Sequence, residues 1–260
     1  MWLDVPVPRG YSHADEPFAL IISQHAAREG VLSAYRAAPK DRPTLHGFAA
    51  AEPNARRLQG REAAYAIALP VTGLRVVVRH NRHGGALRAL TGDLFIAPTR
   101  APEELAMSLE LRGRGVPTPA VVAYAVYPVA VGLARSDVVT EEIPDSEDFG
   151  AVLLATEPGS DARARAWNAV RRLLKRLASA HARHHDLNVK NILLRRMDDD
   201  LLSAYVLDID RVDLEYTRRD AYAGNRARLR RSVEKWRDIR GARVSDAELE
   251  TLRHTMPSIP

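Results

Sequence analysis

A short polar loop near residue 186 carries the side chains that phosphoryl transfer requires. Asp186 and Asn191 stand five residues apart, directly before the apolar run Ile192-Leu193-Leu194. This spacing lets Asp186 face a substrate hydroxyl as a base, while the amide oxygen of Asn191 faces a metal ion. A hairpin after Asn191 would return the chain and bring the Asp208 carboxylate beside it, and such oxygen ligands suit Mg²⁺. The sequence therefore predicts a catalytic loop next to a magnesium site.

Two other interpretations of this region stay open. The loop could be an ordinary Asx-rich turn whose side chains cap backbone groups. His181, His184 and His185 could bind zinc, although the glutamate of a His-Glu-x-x-His motif is absent and the helix is expected to end before His184. We expect His184 instead to be a buried residue that hydrogen-bonds the backbone around the Asp186 loop.

The second half of the chain supplies the elements that must position this loop. Residues 191–195 and 204–208 predict the two strands of the hairpin, joined by an acidic turn. Beyond Asp220 the chain is expected to be helical and basic. A helix with one apolar face before the loop is predicted by residues at helical spacing, which are Trp167, Val170, Leu174, Leu177 and His181.

The first half is rich in predicted strands. Residues 65–69 and 74–79 predict two strands joined by the turn Pro70-Val71-Thr72-Gly73. A helix is expected after Thr99, and two more strands are expected before residue 144. Residues 1–57 have too little periodicity to assign elements. Strands followed by helices and one hairpin predict an α+β fold.

The uncharged run from Val116 to Ala134 is long enough to be tested as a membrane span. Pro117, Pro119 and Pro128 would interrupt a helix there, and Val121-Val122-Ala123-Tyr124-Ala125-Val126 is typical of a strand. We therefore expect buried strands in this run.

The chain contains no cysteine, which excludes disulfides, thiol nucleophiles and Cys-based zinc sites and fits a reducing compartment. The residues after Met1 have neither the basic region nor the long apolar region of a secretory signal. We therefore expect a cytoplasmic protein.

The formal net charge is +5, and its excess is concentrated between Arg211 and Arg240. Acidic residues such as Glu234 and Asp238 alternate with the arginines, as on a solvated helix face. A surface for phosphates, anionic lipid or nucleic acid is the other interpretation. Charge alone does not decide between the two.

Several segments resemble the lipopolysaccharide kinase family, with 3-deoxy-D-manno-octulosonic acid (Kdo) kinases as the most similar member type. The loop and hairpin carry the resemblance first, as His184-x-Asp186-Leu187-Asn188-x-x-Asn191-Ile192-Leu193-Leu194 and Leu207-Asp208-Ile209-Asp210-Arg211. Residues 79–85, 99–104, 114–119 and the basic segment 225–235 resemble further parts of the family. The last of these segments distinguishes the family from generic protein kinases.

This resemblance implies a bilobal protein-kinase-like fold that uses ATP and Mg²⁺. The implied N-lobe is an antiparallel sheet over residues 58–143 that binds nucleotide, and residues 1–57 form an extension of unassigned structure. The implied C-lobe is mainly helical over residues 144–260 and holds the catalytic residues and the acceptor. Asp186 would be the base, with Asn191 and Asp208 as metal ligands.

The resemblance also implies binding residues. Those for the nucleotide would be Gly60 in a loop over the phosphates, Arg79 on the phosphates, Glu104 paired with Arg79, and Glu141, Glu142 and Ile143 at the hinge. Those for the acceptor would be Arg82, Gly84, Gly85, Lys190, Arg228 and Arg231. Arg79 stands where a typical kinase has lysine, and His83 stands where the family has arginine.

The implied activity is ATP-dependent phosphorylation of a sugar hydroxyl in the lipopolysaccharide inner core, on a Kdo-lipid A-like acceptor. The implied location is the inner face of the cytoplasmic membrane, with peripheral contact to anionic lipid and no nucleic-acid partner. A small-molecule or protein kinase of the same fold and a nucleotide-binding regulatory pseudokinase are the alternatives, because fold does not determine substrate.

Overall fold

The structure is a computed structural model that describes residues 6–58, 63–82, 92–96, 99–197 and 201–253. The chain forms two compact units. The first contains residues up to 106 together with 120–142, and the second contains 107–119 together with the chain from 143 onward. Helices and antiparallel strands are combined in the described chain, which confirms the predicted α+β class.

The first unit is built on an antiparallel sheet. Its described strands are β1 Tyr11–Glu16, β2 Ala19–Gln24, β3 Arg56–Leu58, β4 Ala64–Ala68, β5 Arg75–His80, β6 Phe95–Ile96, β7 Val121–Ala130 and β8 Leu133–Glu141. They are ordered β1-β2-β7-β8-β5-β4-β3, with β6 paired to β8. Helices α1 (Arg28–Arg36) and α2 (Leu45–Ala51) accompany the sheet, and α3 (Ala101–Gly113) begins in this unit.

Both faces of this sheet are covered, because successive side chains of a strand point to opposite faces. Ile21 of β2 lies in one apolar cluster with Val31 of α1 and Leu45 of α2. Its neighbour Ile22 lies in a second cluster with Leu105 of α3. The sheet is therefore a buried layer of the first unit.

Strand β7 explains the uncharged run from Val116 to Ala134. Its first seven residues are all buried, so the strand is apolar on both faces, as expected for a central strand. Within the described chain, no helix combines the length and the apolar character needed to cross a bilayer. The prediction of a buried strand is confirmed for residues 121–126.

Residues 6–57 contribute β1, β2, α1, α2 and most of β3. The sequence predicted no elements there, and the structure places β1, β2 and β3 in the same sheet as the predicted strands β4 and β5. The predicted turn between β4 and β5 is confirmed, because the Leu69 N–H donates to the Leu74 carbonyl at 2.9 Å.

The second unit is mainly helical. Its described helices are α4 Phe149–Ala155, α5 Asp161–Ser179, α6 Arg218–Arg240 and α7 Asp246–Glu250, together with the end of α3. Its described strands are β9 Ser146–Asp148, β10 Arg183–His184, β11 Ile192–Arg196, β12 Leu202–Val206 and β13 Val212–Asp213. The pairings run β12-β11-β9 and β10-β13.

Helix α5 is the predicted helix before the catalytic loop. It begins at the N-cap Ser160, whose hydroxyl accepts the Arg163 N–H at 3.3 Å. Trp167 and the apolar residues of the predicted face are buried in the helical core. His181 was wrongly included in that face, because the helix ends at Ser179 and His181 is exposed with a left-handed φ of 60°.

Residues 107–119 lie in the second unit, whereas the sequence predicts them within an N-lobe of residues 58–143. Leu111 and Val116 are buried in the core of the helical unit. The Pro117 carbonyl also accepts the Val206 N–H at 2.9 Å. These contacts hold residues 107–119 in the second unit, against residues that lie far from them in the sequence.

Candidate active site

The catalytic loop lies between β10 and β11 and is closed by its own side chains. The side-chain oxygen Oδ1 of Asn188 accepts the N–H groups of Lys190 at 2.9 Å and Asn191 at 3.2 Å. The Asp186 backbone carbonyl accepts the side-chain amides of Asn188 at 3.1 Å and Asn191 at 3.0 Å. The Asx-turn interpretation is therefore right for Asn188. It does not describe the Asp186 carboxylate, whose hydrogen bond is to Arg228.

The hairpin brings Asp208 to Asn191, as the sequence predicted. Ile192 pairs with Val206 at the open end of the β11–β12 hairpin, and the Leu207 N–H donates to the Asn191 carbonyl at 2.9 Å. Asp208 follows with a left-handed φ of 59°. Among the described residues, its carboxylate has no hydrogen-bond or ion-pair partner.

The donor set here fits a magnesium ion. The Asn191 amide nitrogen is held by the Asp186 carbonyl, so its side-chain oxygen remains as an acceptor. That oxygen and the Asp208 carboxylate are hard ligands of the kind Mg²⁺ prefers. Within the described chain, no three histidine, aspartate or glutamate side chains gather into a metal-binding group. The protein would therefore supply few ligands, as at magnesium sites where substrate phosphates complete the shell.

His184 ties the base to the metal ligand. The residue is 1% exposed, its Nδ1 accepts the Asp186 N–H at 3.1 Å, and its Nε2 donates to the Leu207 carbonyl at 2.9 Å. These bonds require the neutral tautomer with the proton on Nε2. Burial lowers the pKa of His184 below its ordinary value, which favours that neutral form. The predicted scaffold role of His184 is confirmed.

The zinc interpretation has no support in the geometry. His181 Nδ1 donates to the Tyr216 carbonyl at 2.9 Å, and His185 Nε2 lies 2.8 Å from an Asp213 carboxylate oxygen. Each of the three histidines of that motif is thus held by a different partner.

Helix α6 contacts the loop at three positions on one face. Asn225 accepts the His184 N–H at 2.8 Å and donates to the Ala182 carbonyl at 2.8 Å. Ser232 accepts the Val189 N–H at 3.2 Å, and Arg228 donates to the Asp186 carboxylate. The sequence analysis missed these roles. The signal was three polar residues at positions i, i+3 and i+7, which share one helix face.

The basic segment contains both engaged and exposed cations, and its role as an anion-binding surface stays a prediction. Arg226 is buried over the Tyr222 ring, and burial lowers its pKa, while Arg230 pairs with Glu234 at 2.8 Å. Lys190, in the loop, pairs with Asp148 at 2.9 Å. The exposed cations of the segment are Arg211, Arg218, Arg219, Arg231, Lys235 and Arg240.

The first unit contains the predicted ion pair between β5 and α3. Arg79 donates to the Glu104 carboxylate, and Glu104 is 5% exposed. A buried carboxylate needs such a partner. The pairing of the strand cation with the helix glutamate is confirmed, with arginine in place of lysine.

The predicted hinge residues already use some of their backbone groups. The Glu141 N–H donates to the Ala120 carbonyl at 2.9 Å, and the Glu142 N–H donates to the Arg75 carbonyl at 3.1 Å. Burial would raise the pKa of Glu142, but hydrogen bonds from Arg75 and Arg56 lower it. Adenine recognition by these N–H groups would break bonds of the sheet, and recognition by Ile143 stays a prediction. Gly60, Gly84 and Gly85 lie outside the described residues, and Arg82 is exposed.

Residues 48–254 match the family model of the Lipopolysaccharide kinase (Kdo/WaaP) family. The chain belongs to this family. Its fold is accordingly protein-kinase-like, and the protein is a kinase.

This kinase is 30% identical to a 3-deoxy-D-manno-octulosonic acid kinase of Actinobacillus succinogenes over 69% of its own length and 74% of that relative. It is 29% identical to the same-named enzyme of Vibrio cholerae over 61% of its own length and 65% of that relative. A solved structure of WaaP in complex with acyl carrier protein is similar over 79% of this chain and 90% of that one, at 19% identity and a TM-score of 0.45.

A second polar cluster of this kinase lies in the first unit, and the sequence analysis missed it. Asp137 of β8 is fully buried and accepts from His80 Nδ1 at 2.6 Å, the Tyr127 hydroxyl at 2.8 Å and the His46 N–H at 2.8 Å. His80 Nε2 lies 3.0 Å from Asp93. Burial alone would lower the pKa of His80, but the two carboxylates raise it above its ordinary value. Its partners are distant in sequence, so no local pattern could have identified the cluster.

Proposed function

We propose that this kinase transfers the γ-phosphoryl group of ATP to a sugar hydroxyl of the lipopolysaccharide inner core, on a Kdo-lipid A-like acceptor. The observation that carries the proposal is the set of hydrogen bonds that joins Asp186, His184, Asn191 and Leu207, the residue directly before Asp208. The names of the relatives support the acceptor, since both are 3-deoxy-D-manno-octulosonic acid kinases.

Asp186 acts as the base in this proposal. Its carboxylate accepts the proton of the acceptor hydroxyl as that oxygen bonds to the γ-phosphorus and the bond to the ADP oxygen breaks. The Asn191 side-chain oxygen and the Asp208 carboxylate would hold Mg²⁺, which neutralises phosphate charge when bound. His184 holds the base through the Asp186 N–H and supports the metal ligand through the carbonyl of the preceding Leu207.

The first unit is the nucleotide-binding N-lobe in this proposal, and the second unit is the catalytic and acceptor-binding C-lobe. Arg79, oriented by Glu104, contacts the phosphates, with Gly60 in the loop over them and Glu141, Glu142 and Ile143 near adenine. Arginine can take a phosphate with its planar fork. This assignment rests on the Arg79–Glu104 pair and on family membership.

A Kdo-lipid A-like acceptor is negatively charged and membrane-bound, so cationic side chains suit its binding. Arg82, Lys190, Arg228 and Arg231 would contact the acceptor, together with Gly84 and Gly85. The exposed arginines of α6 would face the anionic inner surface of the cytoplasmic membrane, where each cation adds to the attraction.

The test is phosphate transfer from labelled ATP to Kdo-lipid A with Mg²⁺. We expect transfer by the wild type, and a loss of at least ~100-fold in Asp186→Asn and Asp208→Asn because base and metal ligand each supply a large part of the rate. Asp238→Asn, an exposed aspartate paired with Arg237 in α6, is the matched control and should retain full activity.

The other outcomes separate the alternatives. Transfer to small molecules or proteins but not to Kdo-lipid A would assign a different acceptor to the same chemistry. Nucleotide binding without transfer to any acceptor would favour a regulatory pseudokinase. Failure to bind nucleotide in the presence of Mg²⁺ would contradict the proposed kinase activity itself.

A further inference from the structure

Arg228 occupies one of the two carboxylate oxygens of the proposed base. Its Nη2 donates to Oδ1 of Asp186, and within the described chain Asp186 is its only hydrogen-bond or ion-pair partner. While this bond is intact, the guanidinium covers Oδ1 and competes with a substrate hydroxyl for the Asp186 carboxylate. A hydroxyl that binds at Oδ1 has to displace Arg228.

The neighbours of Arg228 show that its own helix is fixed. Asn225 and Ser232, on either side of it along the same face, are buried and bonded to the loop backbone. The Arg228 side chain is 30% exposed, and the Asp186 side chain is 39% exposed. Two anchors therefore hold α6 against the loop, while the ion pair between them remains open to solvent and exchangeable.

The cations around Arg228 differ in their freedom to bind an added anion. Arg230 is engaged by Glu234 and Lys190 by Asp148. Arg231 and Lys235, further along α6 at i+3 and i+7 from Arg228, are exposed. Arg228, Arg231 and Lys235 form a cationic row that begins at the base.

We propose that Arg228 recognises an anionic group on the acceptor, and that this anion replaces Asp186 as the partner of Arg228 and so releases the base. This inference rests on the proposed function and names the acceptor class, a sugar with a carboxylate or phosphate near the reacting hydroxyl. The released Asp186 carboxylate then takes the hydroxyl proton as the new oxygen–phosphorus bond forms and the bond to ADP breaks. Without an acceptor, the paired Asp186 does not activate water, so ATP hydrolysis is suppressed.

Binding tests the recognition step without requiring turnover. Calorimetry would compare Kdo with its methyl ester, and glucosamine 1-phosphate with glucosamine, on wild type, Arg228→Gln and Arg228→Lys. We expect the wild type to prefer the anionic member of one pair by about tenfold or more, since a charge-assisted hydrogen bond is lost in the neutral member. Arg228→Gln should reduce that preference to about twofold or less, and Arg228→Lys should keep part of it because the charge remains.

The control is Arg176→Gln, which removes an exposed arginine from the last turn of α5 and should bind like the wild type. The pair that responds to Arg228→Gln identifies carboxylate or phosphate as the recognised group. Equal preferences in Arg228→Gln and wild type would overturn the inference. Equal weakening of both members of each pair would also overturn it, because Arg228 would then only support the fold.

Acceptor-free ATP hydrolysis tests the release step. We expect Arg228→Gln to hydrolyse ATP several-fold faster than wild type and Arg176→Gln, because Asp186 is no longer paired. An unchanged rate would contradict the role of Arg228 in holding the base. If the wild type transfers no phosphate but Arg228→Gln loses the anion preference, the proposed function fails and the anion recognition by Arg228 stands. If the wild type transfers phosphate but Arg228→Gln keeps the wild-type preference, the proposed function stands and the recognition by Arg228 fails.

Discussion

Asp208 has a backbone conformation that most residues avoid. Its φ of 59° and ψ of 48° lie in the left-handed region, where a Cβ atom crowds the neighbouring carbonyl. Aspartate and asparagine tolerate this region better than other residues. The strain is at the residue whose carboxylate we assign to the metal, which is where stored backbone strain is usually found.

Asp208→Gly and Asp208→Ala separate strain from function. We expect both variants to lose transfer by at least ~100-fold, because each removes the metal ligand. Because glycine has no Cβ, the free energy of unfolding of the Asp208→Gly variant should exceed that of the Asp208→Ala variant by about 1 kcal/mol. Urea unfolding measures the difference, and an alanine variant as stable as the glycine variant would show that the left-handed conformation is not retained.

Helix α6 acts at the scale of an element, as a rigid support for the catalytic loop. Thr217 begins it by accepting the Asp220 N–H at 3.1 Å, and Gly241 ends it in a left-handed conformation. Asn225 and Ser232 hydrogen-bond backbone groups of His184, Ala182 and Val189, which buried polar groups require. A helix rich in arginine is thereby also a structural support of the active-site loop.

Asn225→Ala tests that support. The variant leaves the His184 N–H and the Ala182 carbonyl without their partner, so we expect it to lower the free energy of unfolding by about 2–4 kcal/mol. Ser232→Ala removes one acceptor and should cost about 1–2 kcal/mol. Arg219→Gln, on the exposed side of the same helix, should change stability by less than about 0.5 kcal/mol. Equal stability of all three variants in urea would show that α6 does not hold the loop.

At the scale of the whole molecule, local chemistry was predictable and long-range contacts were not. Asp186, Asn191 and Asp208 could be placed because one short hairpin connects them. The Arg79–Glu104 pair needed a resemblance, since nothing in its spacing indicates contact. The Asp137 cluster and the anchor Asn225 join residues from distant parts of the chain, and only the order of the strands and the packing of α6 bring them together. Residues 6–57 remained unassigned because their short elements gain stability mainly from the sheet they join.

Buried His184 and partly buried His80 give the two units opposite responses to pH. His184, in the second unit, has a lowered pKa, so the unfolded chain binds its proton more readily than the folded chain does. Its contribution to stability is present above about pH 6.5, the ordinary histidine pKa, and is lost as the pH falls below that value. His80, in the first unit, has a raised pKa because Asp137 and Asp93 face it, although Arg135 shares Asp93. Its contribution is present below about pH 6.5 and is lost as the pH rises through its raised value.

Urea unfolding from pH 5.5 to 8.5 of wild type, His80→Gln and His184→Gln measures this contrast. The stability difference between wild type and His80→Gln should be largest at the acidic end and shrink as the pH rises, while the difference for His184→Gln should shrink as the pH falls. Two of the three tryptophans, Trp167 and Trp236, lie in the second unit, so in a Trp2→Phe background fluorescence follows the unit of His184, whereas far-ultraviolet circular dichroism follows both units. His25→Gln is the control for histidine substitution outside both clusters. The fold places carboxylates around His80 and backbone groups around His184, so the two variants should respond to pH in opposite directions. Parallel pH profiles for the His80 and His184 variants would contradict this assignment.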